Sequence, residues 1–249
     1  MKKRLLVLGL AFTMLATTAC GTSSDGGNKT SKADKTVTAT SNDNKKTETQ
    51  NNDDKDAKKE ETKESYKSAD DITMDDLSNH EETSADDFEY GEGPNDSIVI
   101  DGYTGEDPIV VIPNEIDGKK VVDFGKIFTN NKDIVAVRVG DNVENIKEGA
   151  FGNCDNLKYI ILGKNVKVFE HGNVGGKKFE QLELNDGLEQ LGEEGTSGAV
   201  IILNKDKVEV KIPESVNHMA FTGAKTLIVK AGSYAESFAK EHNMDYRVE

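Results

Sequence analysis

The clearest order in the chain is a recurring spacing of apolar positions in its C-terminal part. Residues 134–147 read Ile-Val-Ala-Val-Arg-Val-Gly-Asp-Asn-Val-Glu-Asn-Ile-Lys. Residues 157–170 read Leu-Lys-Tyr-Ile-Ile-Leu-Gly-Lys-Asn-Val-Lys-Val-Phe-Glu, and 179–192 read Phe-Glu-Gln-Leu-Glu-Leu-Asn-Asp-Gly-Leu-Glu-Gln-Leu-Gly. The copies start 23 and 22 residues apart, and each is apolar at positions 1, 4, 6, 10 and 13. A further copy fits 207–220, with Val210, Ile212, Val216 and Met219 in the apolar slots. A first copy fits Val110, Ile112 and Ile116, with Asp117-Gly118-Lys119 adding a loop before Phe124, and a partial last strand fits 226–229. Positions 4 and 6 fall on one face of a strand, with an outward residue between them. Turn-forming triplets follow, then a second apolar pair. One such unit cannot close a core; stacked units can, with parallel strands about 4.8 Å apart, so five units predict a stack about 25 Å long. The apolar run at 199–203 has no place in this register, and the turn at 204–207 would pair it with 208–212.

Several motifs within the repeats point the same way. Residues 146–157, Ile-Lys-Glu-Gly-Ala-Phe-Gly-Asn-Cys-Asp-Asn-Leu, carry Ala-Phe-x-x-Cys-x-x-Leu. Gly102-Tyr103-Thr104-Gly105, with Val111-Ile112-Pro113-Asn114-Glu115-Ile116-Asp117-Gly118, has the look of an opening repeat. Residues 232–240 have that of a closing helix. As a set these resemble BspA-like leucine-rich repeats over residues 97–249. The resemblance implies a mainly β fold: a short leucine-rich-repeat solenoid of parallel strands with short helical turns and a small C-terminal capping helix. The chain departs from the pattern in places. Ala220-Phe221 keeps half of the signature, while Gly172-Asn173-Val174-Gly175-Gly176 and Gly192-Glu193-Glu194-Gly195 replace it, which predicts irregular convex turns there.

The N-terminal part has no such order. Lys2, Lys3 and Arg4 precede an apolar stretch of eleven residues, Leu5 to Leu15, followed by small residues up to Cys20. That is the layout of a secretory signal, and a helix of this length, about 16 Å, is too short to span a bilayer. Leu15-Ala16-Thr17-Thr18-Ala19-Cys20 resembles a bacterial lipobox, with Thr17 where the family usually has Leu. The resemblance implies that residues 1–19 are a signal peptide and that Cys20 is the lipid attachment point. Two acyl chains would anchor durably.

From 21 to 71 there is no Leu, Ile, Phe, Met or Trp. Such a segment buries too little apolar area to offset its ordering entropy, so 20–88 is expected to be a disordered, lipid-anchored tether and 89–249 the folded domain. Ser-Ala-Asp-Asp occurs at both 68–71 and 84–87, each time before a lone apolar residue, Ile72 or Phe88. It reads as a short docking motif or as low-complexity recurrence.

Composition narrows the partners. A net charge of −15 opposes binding to nucleic acid. With Cys20 consumed by lipid, Cys154 has no disulfide partner and reads as a core residue. His80, His171, His218 and His242 show no ligand spacing, so no metal or other cofactor is expected. Gly195-Thr196-Ser197-Gly198-Ala199 lacks the last glycine of a nucleophile elbow, and 172–178 lacks the ending of a P-loop. No catalytic constellation appears, and the chain reads as a non-enzyme.

The expected function is therefore binding. Outward strand positions form a ladder: Ala136 and Arg138, Tyr159 and Ile161, Gln181 and Glu183, Glu209 and Lys211. An exposed Tyr and Ile among charges favour an interaction patch. The resemblance implies an adhesin-like protein at the bacterial cell surface, lipid-anchored after export, presenting this face to an extracellular protein or glycan. The second reading is an envelope scaffold or spacer that binds the cell's own wall components.

Overall fold

A computed structural model describes residues 68–193 and 198–249. The signal segment and Cys20 lie outside the described residues.

The repeat register produces a solenoid of about six coils built on hydrogen-bonded ladders. In the first ladder, Ile109–Val111, Ala136–Arg138, Tyr159–Ile161 and Gln181–Glu183 pair in parallel, one strand per coil. These are positions 3 to 5 of the repeat. The second ladder holds the apolar residue at position 13. It runs Phe88–Gly93, Ser97–Tyr103, Lys119–Phe124, Asn145–Ile146, Val168–Phe169, Gln190–Leu191, His218–Met219. Along this run the strands are parallel except the first two, which form an antiparallel hairpin closing the N-terminal end; Glu115–Ile116 adds a second antiparallel pairing, to Lys119–Phe124. Ser97–Tyr103 adds a coil ahead of the first one recognised in the sequence. At the other end, Glu209–Lys211, Thr226–Val229 and Tyr246–Val248 make a separate parallel sheet, and the helix Tyr234–Glu241 packs against it.

The core lies between the ladders. Val137, Ile160, Leu182 and Val210 at position 4, and Ile146, Phe169, Leu191 and Met219 at position 13, are all buried. The Ala-Phe-x-x-Cys segment adds an aromatic row. Phe124, Phe128, Phe151 and Phe169 contact one another with ring centroids 5.8 to 6.1 Å apart. Coils touch closely at the corner after the first ladder. A Cβ on Gly163 would stand 2.1 Å from the Gly140 carbonyl oxygen, so only glycine fits. Beside this corner, side-chain amides satisfy carbonyls of the preceding coil. Asn142 donates to Asn114 O at 3.1 Å, Asn165 to Asp141 O at 2.8 Å, and Asn185 to Lys164 O at 3.0 Å.

Three expectations change. The segment 199–203 does not pair with 208–212. Its strand Val200–Ile202 lies between Gly172–Val174 and Phe221–Thr222 in a third parallel ladder. The reason is register: the fifth copy starts 28 residues after the fourth, and the additional residues form their own strand. The segment at 172–176, expected to be an irregular turn, supplies the first strand of this ladder; the turn after Gly192 falls largely in 194–197, outside the described residues.

The third change is at the domain boundary. Composition places residues 68–87 in the tether, but they are ordered and packed. A 3-10 turn, Ala69–Asp71, leads to a helix, Met74–Asn79, and a second 3-10 turn, Ala85–Asp87, leads into the hairpin. Each Ser-Ala-Asp-Asp forms one of the 3-10 turns, and the apolar residue after each, Ile72 or Phe88, is buried. Composition underestimates the segment because each turn needs only one apolar anchor. Thr73 caps the helix reciprocally: its amide donates to the Asp76 carboxylate at 2.7 Å, and its hydroxyl accepts from the Asp76 amide at 3.3 Å.

Candidate interaction face

The outward positions of the first ladder form the expected row, and residues 68–83 lie across half of it as a strap. Ile72 and Leu77, both fully buried, pack with Ile109, Val135, Ala136 and Tyr159. Ala136 is therefore fully buried and Tyr159 is 8 % exposed. The expectation that Tyr159 stands exposed as an interaction residue is corrected: the chain's own strap covers it.

Polar anchors hold the strap along its length. Lys158 is the one charged side chain among the buried residues described. Its ammonium donates to Ile72 O at 2.9 Å and Asp70 O at 3.4 Å, and sits 5.0 Å from the Tyr159 ring centroid. Arg138 donates to His80 O. At the ladder edge, Thr83 and Val111 are joined twice: the Thr83 amide donates to Val111 O at 3.0 Å, and the Val111 amide to the Thr83 hydroxyl at 2.9 Å. The Glu82 carboxylate accepts from the Asn114 amide at 3.2 Å. The Asp70 carboxylate meets Lys178 at 3.2 Å. The Tyr159 hydroxyl donates to Glu180 at 2.7 Å, and burial, followed by that carboxylate, pushes its pKa up to about 12.

Arg138 and Ile161 are half-buried at the margin of the strap, Ile161 packing against its apolar cluster. Beyond them the face opens: Gln181 is half-buried, and Glu183, Glu209 and Lys211 are exposed. Gln181 donates to Glu183 at 2.8 Å. Glu209 pairs with Arg247 at 3.4 Å and Lys211 with Glu249 at 2.6 Å, which extends the charged row onto the last strand. This open part carries both signs of charge. Of the eight residues expected on one face, six lie on the first ladder and Glu209 and Lys211 on the next sheet, and the strap covers only part of the first ladder's set. The sequence pattern missed Lys158, which sits at position 2 of its repeat; its neighbour Tyr159 offered no hint that a segment some 85 residues away would bond to it.

Chemistry of other kinds finds little support. Cys154 is buried, its thiol donates to Phe128 O at 2.9 Å, and burial pushes its pKa up to about 11. A thiol so placed packs and does not react at neutral pH. Among the described residues no group of three His, Cys, Asp or Glu is arranged to hold a metal, and no helix is long and apolar enough to cross a membrane. A groove of about 420 Å³ lies beside the second ladder, lined by Asn95, Asp96, Lys119, Lys120, Asp123 and Glu144. Lys119 pairs with Asp96 there, Asp123 with Lys147, and the Ser97 hydroxyl donates to Pro94 O.

No protein-family model and no curated protein sequence matches the chain. Solved structures do. A leucine-rich-repeat protein of Treponema pallidum aligns at 26 % identity and a TM-score of 0.50, over 59 % of this chain and 71 % of its own. A leucine-rich-repeat protein of Bacteroides ovatus aligns at 19 % identity and a TM-score of 0.43, over 59 % and 49 %. A leucine-rich cell surface protein of Faecalibacterium prausnitzii aligns at 16 % identity and a TM-score of 0.36, over 59 % and 54 %.

Proposed function

We propose that this leucine-rich-repeat solenoid is a binding module displayed on a bacterial cell surface, held there by lipid at Cys20, with the open part of its first ladder as the contact face. The observation that carries the reading is the row of outward side chains beyond the strap: Gln181 and Glu183 at the end of the first ladder, followed by the exposed Glu209 and Lys211 on the next sheet. Successive coils present such a row as one extended surface, and repeat proteins use surfaces of this kind to bind other proteins. The fold alone does not name the ligand. The mixed charges of the open row fit a polar protein or glycan surface better than a nucleic acid. The likeness to the Treponema protein supports the repeat fold. The exported, anchored state is supported by the basic, apolar and small-residue order before Cys20.

Two experiments test this. The mature chain isolated from membranes should begin at Cys20 and carry the mass of two acyl groups on glycerol, and Cys20→Ser should release the protein from the membrane. An unmodified Cys20 would remove the anchor. The full chain should then be tested against matrix proteins, glycans and purified cell wall, beside a Gln181→Ala, Glu183→Ala, Glu209→Ala, Lys211→Ala variant. Saturable binding to a host component that the variant loses, with its melting temperature unchanged, supports an adhesin-like role. Binding confined to cell wall moves the protein to the scaffold class. Binding that the variant retains rules out the open face.

A further inference from the structure

The covered half of the ladder face has the features of a peptide site. Its floor is apolar, formed by Ile109, Val135 and Ala136 with the Tyr159 ring. Its rim carries two cations aimed at main-chain carbonyls: Lys158 toward Ile72 O and Asp70 O, and Arg138 toward His80 O. At one end the Val111 edge offers backbone bonds, taken up by Thr83. Carbonyls recur in every peptide, so cations directed at them grip a main chain whatever its side chains. The aliphatic floor selects what inserts. The occupant is acidic, with Asp70, Asp71, Asp75 and Asp76 around its two anchors, and it faces Lys158, Arg138 and Lys178.

The occupant's apolar hold is small. Between 68 and 83 only Ile72 and Leu77 are fully buried, and the helix has six residues. A helix this short gains little from its own hydrogen bonds. The strap joins the solenoid through one connection, at 84–87, so its release leaves every ladder bond in place. Segments of this kind open locally, far more often than the whole domain unfolds.

We propose that the strap is an exchangeable cover, and that the ladder face beneath it binds an acidic peptide segment of a partner that presents two aliphatic side chains from one short helical turn. This site is separate from the open row of the proposed function, and does not depend on it.

The test uses the full chain with Ile72→Asp and Leu77→Asp, which removes the cover's anchors without touching the floor. The probe is a synthetic peptide of residues 68–83. Cover and peptide compete, so apparent affinity scales with the fraction of chains whose site is free. The released variant should bind the peptide at least tenfold more tightly than the unmodified chain. Adding Lys158→Met should weaken that binding about tenfold, while the Gln181, Glu183, Glu209 and Lys211 alanine variant should leave it unchanged. Equal binding to the released and unmodified chains, with both folded, overturns the proposal.

Hydrogen exchange on the unmodified chain decides independently if the released variant does not fold. The Leu77 amide, bonded to Thr73 O, should exchange at least a hundredfold faster than the Val139 amide, bonded to Ile161 O in the ladder. Exchange of both at one rate would show that the strap opens only with the whole domain, and the proposal fails. A concentration-dependent dimer of the unmodified chain that the released variant does not form would assign the site to a second copy and overturn the external peptide.

Discussion

At the scale of single residues, burial decides what each reactive group can do. Tyr159 belongs to a row that alternation predicts to be outward, and so it is; the strap then buries it. Its neutral form is favoured in the folded chain, where its pKa is raised to about 12, against about 10 when unfolded. The resulting stability is fully present below pH 10 and is lost as pH rises through 12, because the unfolded chain releases the proton first. Melting temperature should therefore fall between pH 10 and 12, with a shallower fall in Tyr159→Phe; equal slopes would show that the hydroxyl is not so held. Cys154 gives a second prediction. With its thiol pushed up to about 11 and buried, it should resist alkylation at pH 8 in the folded chain and react only on unfolding. Gly163 gives a third. The Cβ of Gly163→Ala would meet the Gly140 carbonyl backbone, which cannot rotate away, so the substitution should cost about 3 kcal/mol in denaturant melts. A cost below about 0.5 kcal/mol would mean that the coils separate easily at this corner.

At the scale of elements, the ladder strands were legible and the strap was not. Apolar residues at positions 4, 6 and 13 recur in each copy, and tertiary packing reinforces that period along the stack, so 136–138, 159–161 and 181–183 fall where the pattern puts them. The strap follows another logic. It brings no periodic face of its own, only two aliphatic residues whose value depends on a floor made elsewhere in the chain. Local sequence shows a polar run with strong turn formers, which is also what a disordered segment shows. The strand Val200–Ile202 was missed for a related reason: its partners, Gly172–Val174 and Phe221–Thr222, lack the apolar regularity that would have announced a third ladder.

The two kinds of element should respond differently to equivalent damage. Ile160→Ala removes a side chain locked between coils and should cost about 3 kcal/mol, lowering the melting temperature by roughly 10 °C. Leu77→Ala removes one as deeply buried, yet its effect on global melting is capped at what the strap contributes, because the strap detaches first. A shift of about 2 °C or less is expected; a shift as large as that of Ile160→Ala would make the strap part of the cooperative core.

At the scale of the whole molecule, continuity comes from the second ladder. The first ladder stops at Gln181–Glu183 and a new sheet starts at Glu209–Lys211, but the second runs on through Gln190–Leu191 to His218–Met219. The break therefore divides one face without dividing the domain. The repeat register was enough to align Ala136, Tyr159 and Gln181, and Arg138, Ile161 and Glu183, across one ladder. Which half is covered depends on a segment outside the repeat, and no periodicity within the repeat carries that information.

The route of the chain into the solenoid has a mechanical consequence. Asp70 lies against Lys158 and Lys178, beside the third and fourth strands of the first ladder, and the strap then runs back across the face to meet the edge strand at Val111. A pull applied to the N-terminal side thus loads the strap one anchor at a time, as a zipper is loaded, before any coil bears tension. In an optical trap the first event should be a low-force extension of about 50 Å, the contour length of 68–83, ahead of a separate high-force rupture of the ladders. A single rupture without that early step would show that strap and coils yield together. Shear between anything that holds the N-terminal side and anything that holds the solenoid would release this slack first and bare the covered face while the solenoid stays folded.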